Sequence, residues 1–170
     1  DEIKQAFENG GTVKLADDIE LEDVLKINEG AEVHLDMNGK KIIVDENSKA
    51  DPVFYTYKNS TLTITGNGTF ELESPAASLI VPFGDVIIEN GTFIRKVPAG
   101  TAAKDVGSLF VGVKVSPWGS QTVTIKGGYF DGGYYDANAA GIDEILAGTE
   151  TLVETADDIA KRGNSNDANI

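Results

Sequence analysis

The sequence contains no cysteine, and it has one histidine, one tryptophan and one methionine among its 170 residues. Without cysteine there can be no disulfide bond, thiolate metal ligand or cysteine nucleophile. The single histidine, His34, cannot build a histidine-rich metal site. No apolar run approaches the length of about 18 residues that a membrane-spanning helix requires, so we expect no membrane insertion.

Basic residues are also scarce, because 14 Lys and Arg stand against 28 Asp and Glu, giving a formal net charge of −14. Such a surface repels the phosphates of nucleic acid, so we predict no nucleic-acid partner. The apolar content of 41% is enough for a packed core. Since aromatic residues are few, that core must consist mainly of Val, Ile and Leu, which favour strands.

One phrase recurs along the chain: alternating apolar residues, a Gly/Asn turn, and then Thr or Tyr followed by Phe. Clear copies occupy 62–70, 86–93 and 123–130, and a looser relative occupies 33–42. The alternation turns one face of each short strand inward, and the Gly/Asn pair supplies the positive φ of a sharp corner. We expect Phe70, Phe93 and Phe130 to point back into the core.

Each phrase has further apolar runs beside it. Runs at 24–27, 53–56, 79–81 and 109–111 precede the phrases, and runs such as 42–44 and 70–72 follow them. Three short strands in a repeat of roughly 20 to 30 residues are typical of one turn of a β-solenoid. The sequence therefore predicts an all-β fold, a parallel β-helix of about four or five coils. The alternative is an antiparallel sandwich with hairpins at the Asn-Gly steps.

The two ends of the chain differ from the repeats. Residues 1–11 predict a short N-terminal capping helix, because Ile3, Ala6 and Phe7 have helical spacing. We assign 12–136 to the β-helix and 137–170 to a helical or irregular C-terminal cap, tail or linker. Residues 143–145 and 156–159 repeat the motifs of 1–3 and 16–19. The alternative is therefore that the tail forms a shortened copy of the starting element or a further coil.

Three segments resemble a known family: "LDMNGKKI" at 35–42, "VTIKGGYFDG" at 123–132 and the opening "DEIKQAFENGGTVKLADDIEL". They are similar to the pectate-lyase-like right-handed parallel β-helix proteins, which include phage tailspikes and fibres and bacterial surface proteins. The resemblance implies a right-handed, single-stranded β-helix. It implies little about activity, because the matching residues are turn glycines and core aliphatics.

The most suggestive group of binding residues is aromatic. Trp118 lies in the turn "SPWGS", and Tyr134 and Tyr135 follow a Gly-Gly pair. Exposed aromatic rings in turns form platforms that stack on sugar rings or anchor a protein partner. The alternative is that these rings pack locally against the last coil.

Carboxylates in a glycine-rich segment give a weak indication of a calcium site. Asp131 and Asp136, with Asp143 and Glu144 further along, offer the oxygen ligands that Ca²⁺ prefers, although no EF-hand pattern is present. We expect no other cofactor. A polysaccharide lyase or hydrolase would need clustered carboxylates, whereas adjacent residues such as Asp17 and Asp18 point to opposite faces of a strand. We therefore predict that the chain is not an enzyme.

The resulting hypothesis is a non-catalytic structural or adhesin module, displayed on a phage virion as a fibre or decoration protein or on a bacterial surface. Its predicted location is the virion or the extracellular surface. We expect a homo-oligomer, such as a trimer, or a larger virion or surface assembly. The alternatives are a carbohydrate-binding adhesin that uses its exposed aromatic residues and a polysaccharide lyase or hydrolase.

Overall fold

The computed structural model describes residues 2–73, 79–95, 123–131 and 151–152 of the chain. These residues form one helix, short strands and the turns between them. The helix is α1 (Glu2–Asn9), and the strands are β1 (Gly11–Lys14), β2 (Ile19–Glu20), β3 (Leu25–Ile27), β4 (Glu32–Asp36), β5 (Lys41–Val44), β6 (Phe54–Thr56), β7 (Thr61–Thr65), β8 (Thr69–Leu72), β9 (Ile80–Pro82), β10 (Asp85–Ile88), β11 (Thr92–Arg95), β12 (Val123–Ile125), β13 (Gly127–Asp131) and β14 (Thr151–Leu152).

The strands form three parallel sheets. Sheet A has the order β1-β4-β7-β10-β12, sheet B the order β2-β5-β8-β11-β13-β14, and sheet C the order β3-β6-β9. From β1 to β11 the chain visits A, B and C in turn and then returns to A. The prediction of an all-β fold with parallel strands is confirmed. The antiparallel sandwich is wrong, because every pairing among the described strands is parallel.

The register places equivalent side chains of successive repeats above one another. Leu35 pairs with Ile64, and Ile64 pairs with Ile88. All three are at most 1% exposed, so each repeat covers the apolar layer of the next. The run predicted at 109–111 lies outside the described residues.

A column of phenylalanine rings lies within this core. Phe70 and Phe93 stack with a centroid distance of 5.0 Å, and Phe54 meets Phe70 edge-on at 5.7 Å. Phe7 of α1 stacks on Phe54 at 5.9 Å. The prediction that Phe70 and Phe93 turn inward is confirmed, since both are fully buried. Phe130 is in register with Phe93, although its side chain lies outside the description.

The Gly/Asn corners join sheet A to sheet B. Asn38 and Asn67 both have φ of 50°, a left-handed conformation that asparagine tolerates. Asn38 Nδ2 donates to the carbonyl of Leu15 at 2.9 Å, and the Asn67 amide donates to Asn90 Oδ1 at 2.7 Å. These bonds link each corner to the neighbouring repeat, so the Asn-Gly steps connect strands of different sheets and are not hairpins.

The helix expected at the start of the chain is present as α1, and its Phe7 is fully buried. The helix packs against β3 and β1. In the tail, Thr151–Leu152 forms β14 where we predicted helical or irregular structure. These two residues pair in parallel with Gly127 and Gly128 of β13, and the other residues of the predicted tail lie outside the described ones.

Candidate functional site

The aromatic residues predicted to bind a ligand, Trp118, Tyr134 and Tyr135, lie outside the described residues, as does Asp136. Asp131 is the last residue of β13 and pairs in register with Ile94, but its side chain is not described. The predicted aromatic and calcium sites therefore remain predictions. No three of the described His, Asp or Glu side chains converge in a way that would hold a metal ion.

A different group of aromatic side chains lies on the outside of sheet C. In β6, Phe54 and Thr56 are fully buried, so strand alternation directs Tyr55 outward. Tyr57 follows the strand and is 38% exposed, while Phe83 follows β9 and is half-buried. We call Tyr55, Tyr57 and Phe83 the aromatic surface.

Backbone hydrogen bonds fix the two residues that follow the strands. The Tyr57 amide donates to the carbonyl of Ile27 at 2.9 Å, and the Phe83 amide donates to the carbonyl of Thr56 at 3.0 Å. Both bonds continue the ladder of sheet C beyond the ends of its strands. Tyr57 and Phe83 therefore occupy equivalent positions in successive repeats.

The turn after Tyr57 is held by its own carbonyl, which accepts from the Ser60 amide at 3.1 Å and from Ser60 Oγ at 2.6 Å. Gly84 packs closely over this turn, and a Cβ there would come within 2.6 Å of the Tyr57 carbonyl oxygen. The Gly84 amide donates to the buried Thr56 Oγ1 at 3.1 Å. The backbone under the aromatic surface is thus fixed from both sides.

The three rings contact one another but do not form a flat plane. The Tyr55 centroid lies 4.8 Å from that of Tyr57, with an interplanar angle of 56°. It lies 5.4 Å from the centroid of Phe83, with an angle of 42°. Because the rings are tilted, they form a contiguous apolar surface, and the two tyrosines add hydroxyl groups that can donate and accept hydrogen bonds.

Two exposed lysines adjoin the aromatic surface. Lys26 of β3 pairs in register with Tyr55, and both residues lie on the outward-facing side of their strands. Lys58 directly follows Tyr57. Neither ammonium group forms an ion pair within 4.0 Å with any described carboxylate. The two lysines add positive charge beside the aromatic surface, and the charge of Lys26 also acts on the carboxylate of Asp23.

A separate groove of about 1130 Å³ opens near the start of the chain, between α1, the first repeat and the turn at 45–49. Half-buried apolar side chains and charged groups of both signs line it. The half-buried apolar residues are Ile3, Val13 and Ile19, and the charged residues are Lys4, Lys14, Asp17, Glu20, Glu22, Asp23, Asp45 and Lys49. Five acids, among them Asp23, and three lysines line the groove, so acidic groups outnumber basic ones there.

Several described carboxylates have structural partners. Glu71 Oε1 lies 3.0 Å from Lys41 Nζ, and Glu89 Oε1 lies 3.0 Å from Lys126 Nζ. Asp36 Oδ1 accepts from the Asn38 amide at 2.9 Å at the corner of the first repeats. Asp18 Oδ1 accepts from the Lys41 amide at 2.8 Å, which ties two repeats together. These acids stabilise turns and strand faces.

Asp23 is the acid with a clear electrostatic shift. The hydrogen bond from Lys4 Nζ at 2.6 Å, and then the bond from the Val24 amide at 2.8 Å, hold the pKa of Asp23 below its ordinary value of 3.8. The charge of Lys26 acts in the same direction. The carboxylate therefore joins α1 to the start of β3.

His34 is exposed on the outer face of sheet A, as its alternation with Val33 and Leu35 indicates. Its Nε2 lies 3.0 Å from Thr65 Oγ1 in the neighbouring repeat. The histidine thus bridges two strands. Within the part of the chain that the structure describes, no helix has both the length and the apolar content to cross a bilayer.

Sequence reasoning missed the aromatic surface although part of the signal was present. The order Phe54-Tyr55-Thr56-Tyr57 alternates, so an inward Phe54 implies an outward Tyr55. Phe83 gives no comparable signal, because its contact with Tyr55 depends on the register between β6 and β9.

The aromatic surface and its lysines, Lys26 and Lys58, are the described residues best suited to bind a ligand. Comparison with known proteins adds no assignment: the chain matches no family model, no curated protein and no solved structure.

Proposed function

We propose that this chain is a non-catalytic structural or adhesin module, a right-handed parallel β-helix displayed on a phage virion or a bacterial surface. The observation that carries the proposal is the cyclic order of β1 to β11 through three parallel sheets around one apolar core. Such an arrangement supports a rigid rod, whose side faces are suited to assembly and display. The family resemblance of the sequence supports the right-handed sense and the surface role.

The structural role predicts an assembled form. A short rod gains a use when copies associate along its side faces or when it attaches to a larger body, and a trimer is the form we propose for the isolated chain. Size-exclusion chromatography with light scattering measures this directly. A species of one chain at all concentrations would contradict self-assembly. An experimental density map of the trimer that resolves the path of the backbone would test the right-handed winding.

The non-catalytic part of the proposal draws support from the carboxylates that brace turns and strands, such as Asp36 and Asp18. Its test is the release of reducing ends or unsaturated products from acidic and neutral polysaccharides, with and without Ca²⁺. We expect no release above the buffer control. Turnover that is lost in an Asp131→Asn variant would favour the lyase or hydrolase alternative. Calorimetric titration with Ca²⁺ tests the proposed Asp131 and Asp136 site.

A carbohydrate-binding adhesin is the second candidate, and the aromatic surface favours it. The exposed ring of Tyr57, backed by Tyr55 and Phe83, offers the type of apolar contact on which a sugar ring stacks. Trp118, Tyr134 and Tyr135 are proposed as further contacts. A glycan array with Trp118→Ala and Tyr135→Ala variants tests the second set: binding that survives both changes does not depend on Trp118 or Tyr135.

A further inference from the structure

We propose that Asn90 is a site of spontaneous covalent modification, at which the side-chain amide is converted to a carboxylate through a cyclic imide. The reaction needs an asparagine whose Cγ can be reached by the backbone nitrogen of the next residue, and glycine hinders that approach least. The sequence has four such Asn-Gly steps, which begin at Asn9, Asn38, Asn67 and Asn90. Hydrogen bonds and backbone conformation separate these steps from one another.

The reacting groups at Asn90 are not held by bonds that would block the reaction. The Gly91 amide, which is the nucleophile, has no acceptor among the described residues, and neither has Asn90 Nδ2, which leaves as ammonia. Asn90 Oδ1 accepts from the Asn67 amide at 2.7 Å. Negative charge develops on this oxygen in the tetrahedral intermediate. The Asn67 amide therefore stabilises that intermediate as an oxyanion-hole donor does.

Two of the other steps have a nucleophile that is already engaged. The Gly39 amide donates to the carbonyl of Gly66 at 2.7 Å, and the Gly10 amide donates to the carbonyl of Ala6 at 3.0 Å. Each of these bonds must break before the nitrogen can attack the asparagine that precedes it. The steps at 9 and 38 should therefore react slowly in the folded protein.

Backbone conformation protects the step at Asn67. Asn67 has a φ of 50°, and in a left-handed residue the next nitrogen lies on the opposite side of the Cα–C bond from Cβ. The Gly68 nitrogen must therefore turn through nearly half a circle to approach Cγ. Gly68 is packed so closely that a Cβ there would overlap Met37, which hinders the rotation. Asn90 lies outside the left-handed region, so its nucleophile needs a smaller rotation.

The reaction consumes water and releases ammonia. The Gly91 nitrogen loses its proton to a base in the solvent and bonds to Asn90 Cγ, and the bond from Cγ to Nδ2 breaks as the nitrogen takes up a proton. Water then opens the imide at either carbonyl, giving an aspartate or an isoaspartate. The isoaspartate adds one methylene to the main chain between β10 and β11. We expect it to weaken the 2.9 Å bond from the Thr92 amide to the Gly68 carbonyl.

The test is incubation of the folded chain, and of the chain unfolded in guanidinium chloride, at mildly acidic and mildly alkaline pH. Cleavage after glutamate separates Asn67 from Asn90, because Glu71 and Glu73 lie between them. Mass spectrometry then detects the gain of about one dalton. In the folded chain, Asn90 should convert at least about tenfold faster than Asn38 or Asn67, and faster at the higher pH. In the unfolded chain all four steps should convert at similar rates.

Asn90→Gln is the matched variant, because it keeps a side-chain amide but would have to form a larger ring. It should remove the gain in mass at this corner, whereas Asn38→Gln should leave the conversion of the folded chain unchanged. Conversion of Asn38 or Asn67 as fast as that of Asn90 in the folded chain would overturn the assignment. So would a folded chain that keeps Asn90 intact over a period in which the unfolded chain converts it.

Hydrogen exchange measures the effect of the modification on the fold. After incubation, chains with isoaspartate at position 90 should exchange faster in peptides that cover β11 than fresh chains do. Asn90→Asp is the control, because it has the charge of the product with an ordinary backbone, and it should exchange as the fresh chain does. Equal exchange in all three samples would contradict the expected weakening of the Thr92 bond.

Discussion

At the scale of single residues, the corner glycines differ in how much space surrounds them. Gly39 and Gly66 both have positive φ, 68° and 90°, but only a Cβ on Gly66 would collide with Asp36 and with the backbone nitrogens of Met37 and Asn38. A Cβ on Gly39 meets nothing within 4 Å. The two positions therefore separate backbone strain from steric overlap.

We expect Gly39→Ala to lower the free energy of unfolding by about 1–2 kcal/mol, the cost of a left-handed conformation. Gly66→Ala should cost about 1–3 kcal/mol more, because the corner must also shift. Urea denaturation of the two variants measures the difference. Equal losses of unfolding free energy in the two variants would mean that the neighbouring repeat shifts to accommodate the added methyl group. The corner would then be less tightly packed than the structure indicates.

The phenylalanine column gives a second prediction at this scale. Phe70 lies between Phe54 and Phe93, with centroid distances of 5.7 Å and 5.0 Å, and is fully buried. Phe70→Ala should lower the free energy of unfolding by about 3–5 kcal/mol through lost burial and a cavity. The exposed Tyr57→Ala is the control and should cost under about 1 kcal/mol. A small loss at Phe70 would indicate that the column is loosely packed.

At the scale of elements, α1 is joined to the first repeat by Phe7 and by the Lys4–Asp23 ion pair. The pKa of Asp23 is lower in the folded protein than its ordinary value of 3.8. The contact therefore stabilises the fold above about pH 4 and is lost as the pH falls through the lower, folded-state pKa. The loss should stay under about 1 kcal/mol, because both side chains are solvent-exposed.

The measurement is the amide chemical shifts of α1 and β3 as the pH is lowered. In the unaltered chain, the amide chemical shifts near Lys4 and Asp23 should titrate with a midpoint below pH 3.8. In Asp23→Asn they should show no such titration, and α1 should be less protected at neutral pH. Identical titrations in both proteins would assign the effect to another acid.

Much of this element-level organisation could be predicted from the sequence. The repeated phrase located β7, β8, β10 and β11 and the burial of Phe70 and Phe93, because alternation and Gly/Asn corners act locally. What the sequence could not supply was contact between repeats. The meeting of Tyr55 with Phe83 depends on inter-strand register, and β14 depends on pairing with β13 across a long separation.

At the scale of the whole molecule, the repeats at the middle have paired strands on both sides, whereas the first repeat has paired strands on one side and α1 packed against β1 and β3. β4 and β7 are each paired twice, while β1 and β2 are paired only once among the described strands. In such stacked folds stability depends on contacts between nearest neighbours. The ends of the stack should therefore open more readily than its centre.

Hydrogen exchange followed by mass spectrometry tests this gradient. Peptides that cover 32–36 and 61–65 should exchange most slowly, and those that cover 11–14 and 19–20 should exchange faster by about tenfold or more. The Phe70→Ala variant should accelerate the central peptides preferentially. Uniform exchange throughout the described strands would show that the molecule opens only as a single unit.

The matching positions of Leu35, Ile64 and Ile88 have a consequence for how such a gene can change its length. An in-frame duplication of one repeat would insert a rung whose upper and lower layers both find compatible partners. Each sheet would gain a strand and widen by about 4.8 Å with each added repeat. Under the proposed display role, such duplications would change the length of the module without changing the sequence of its existing repeats.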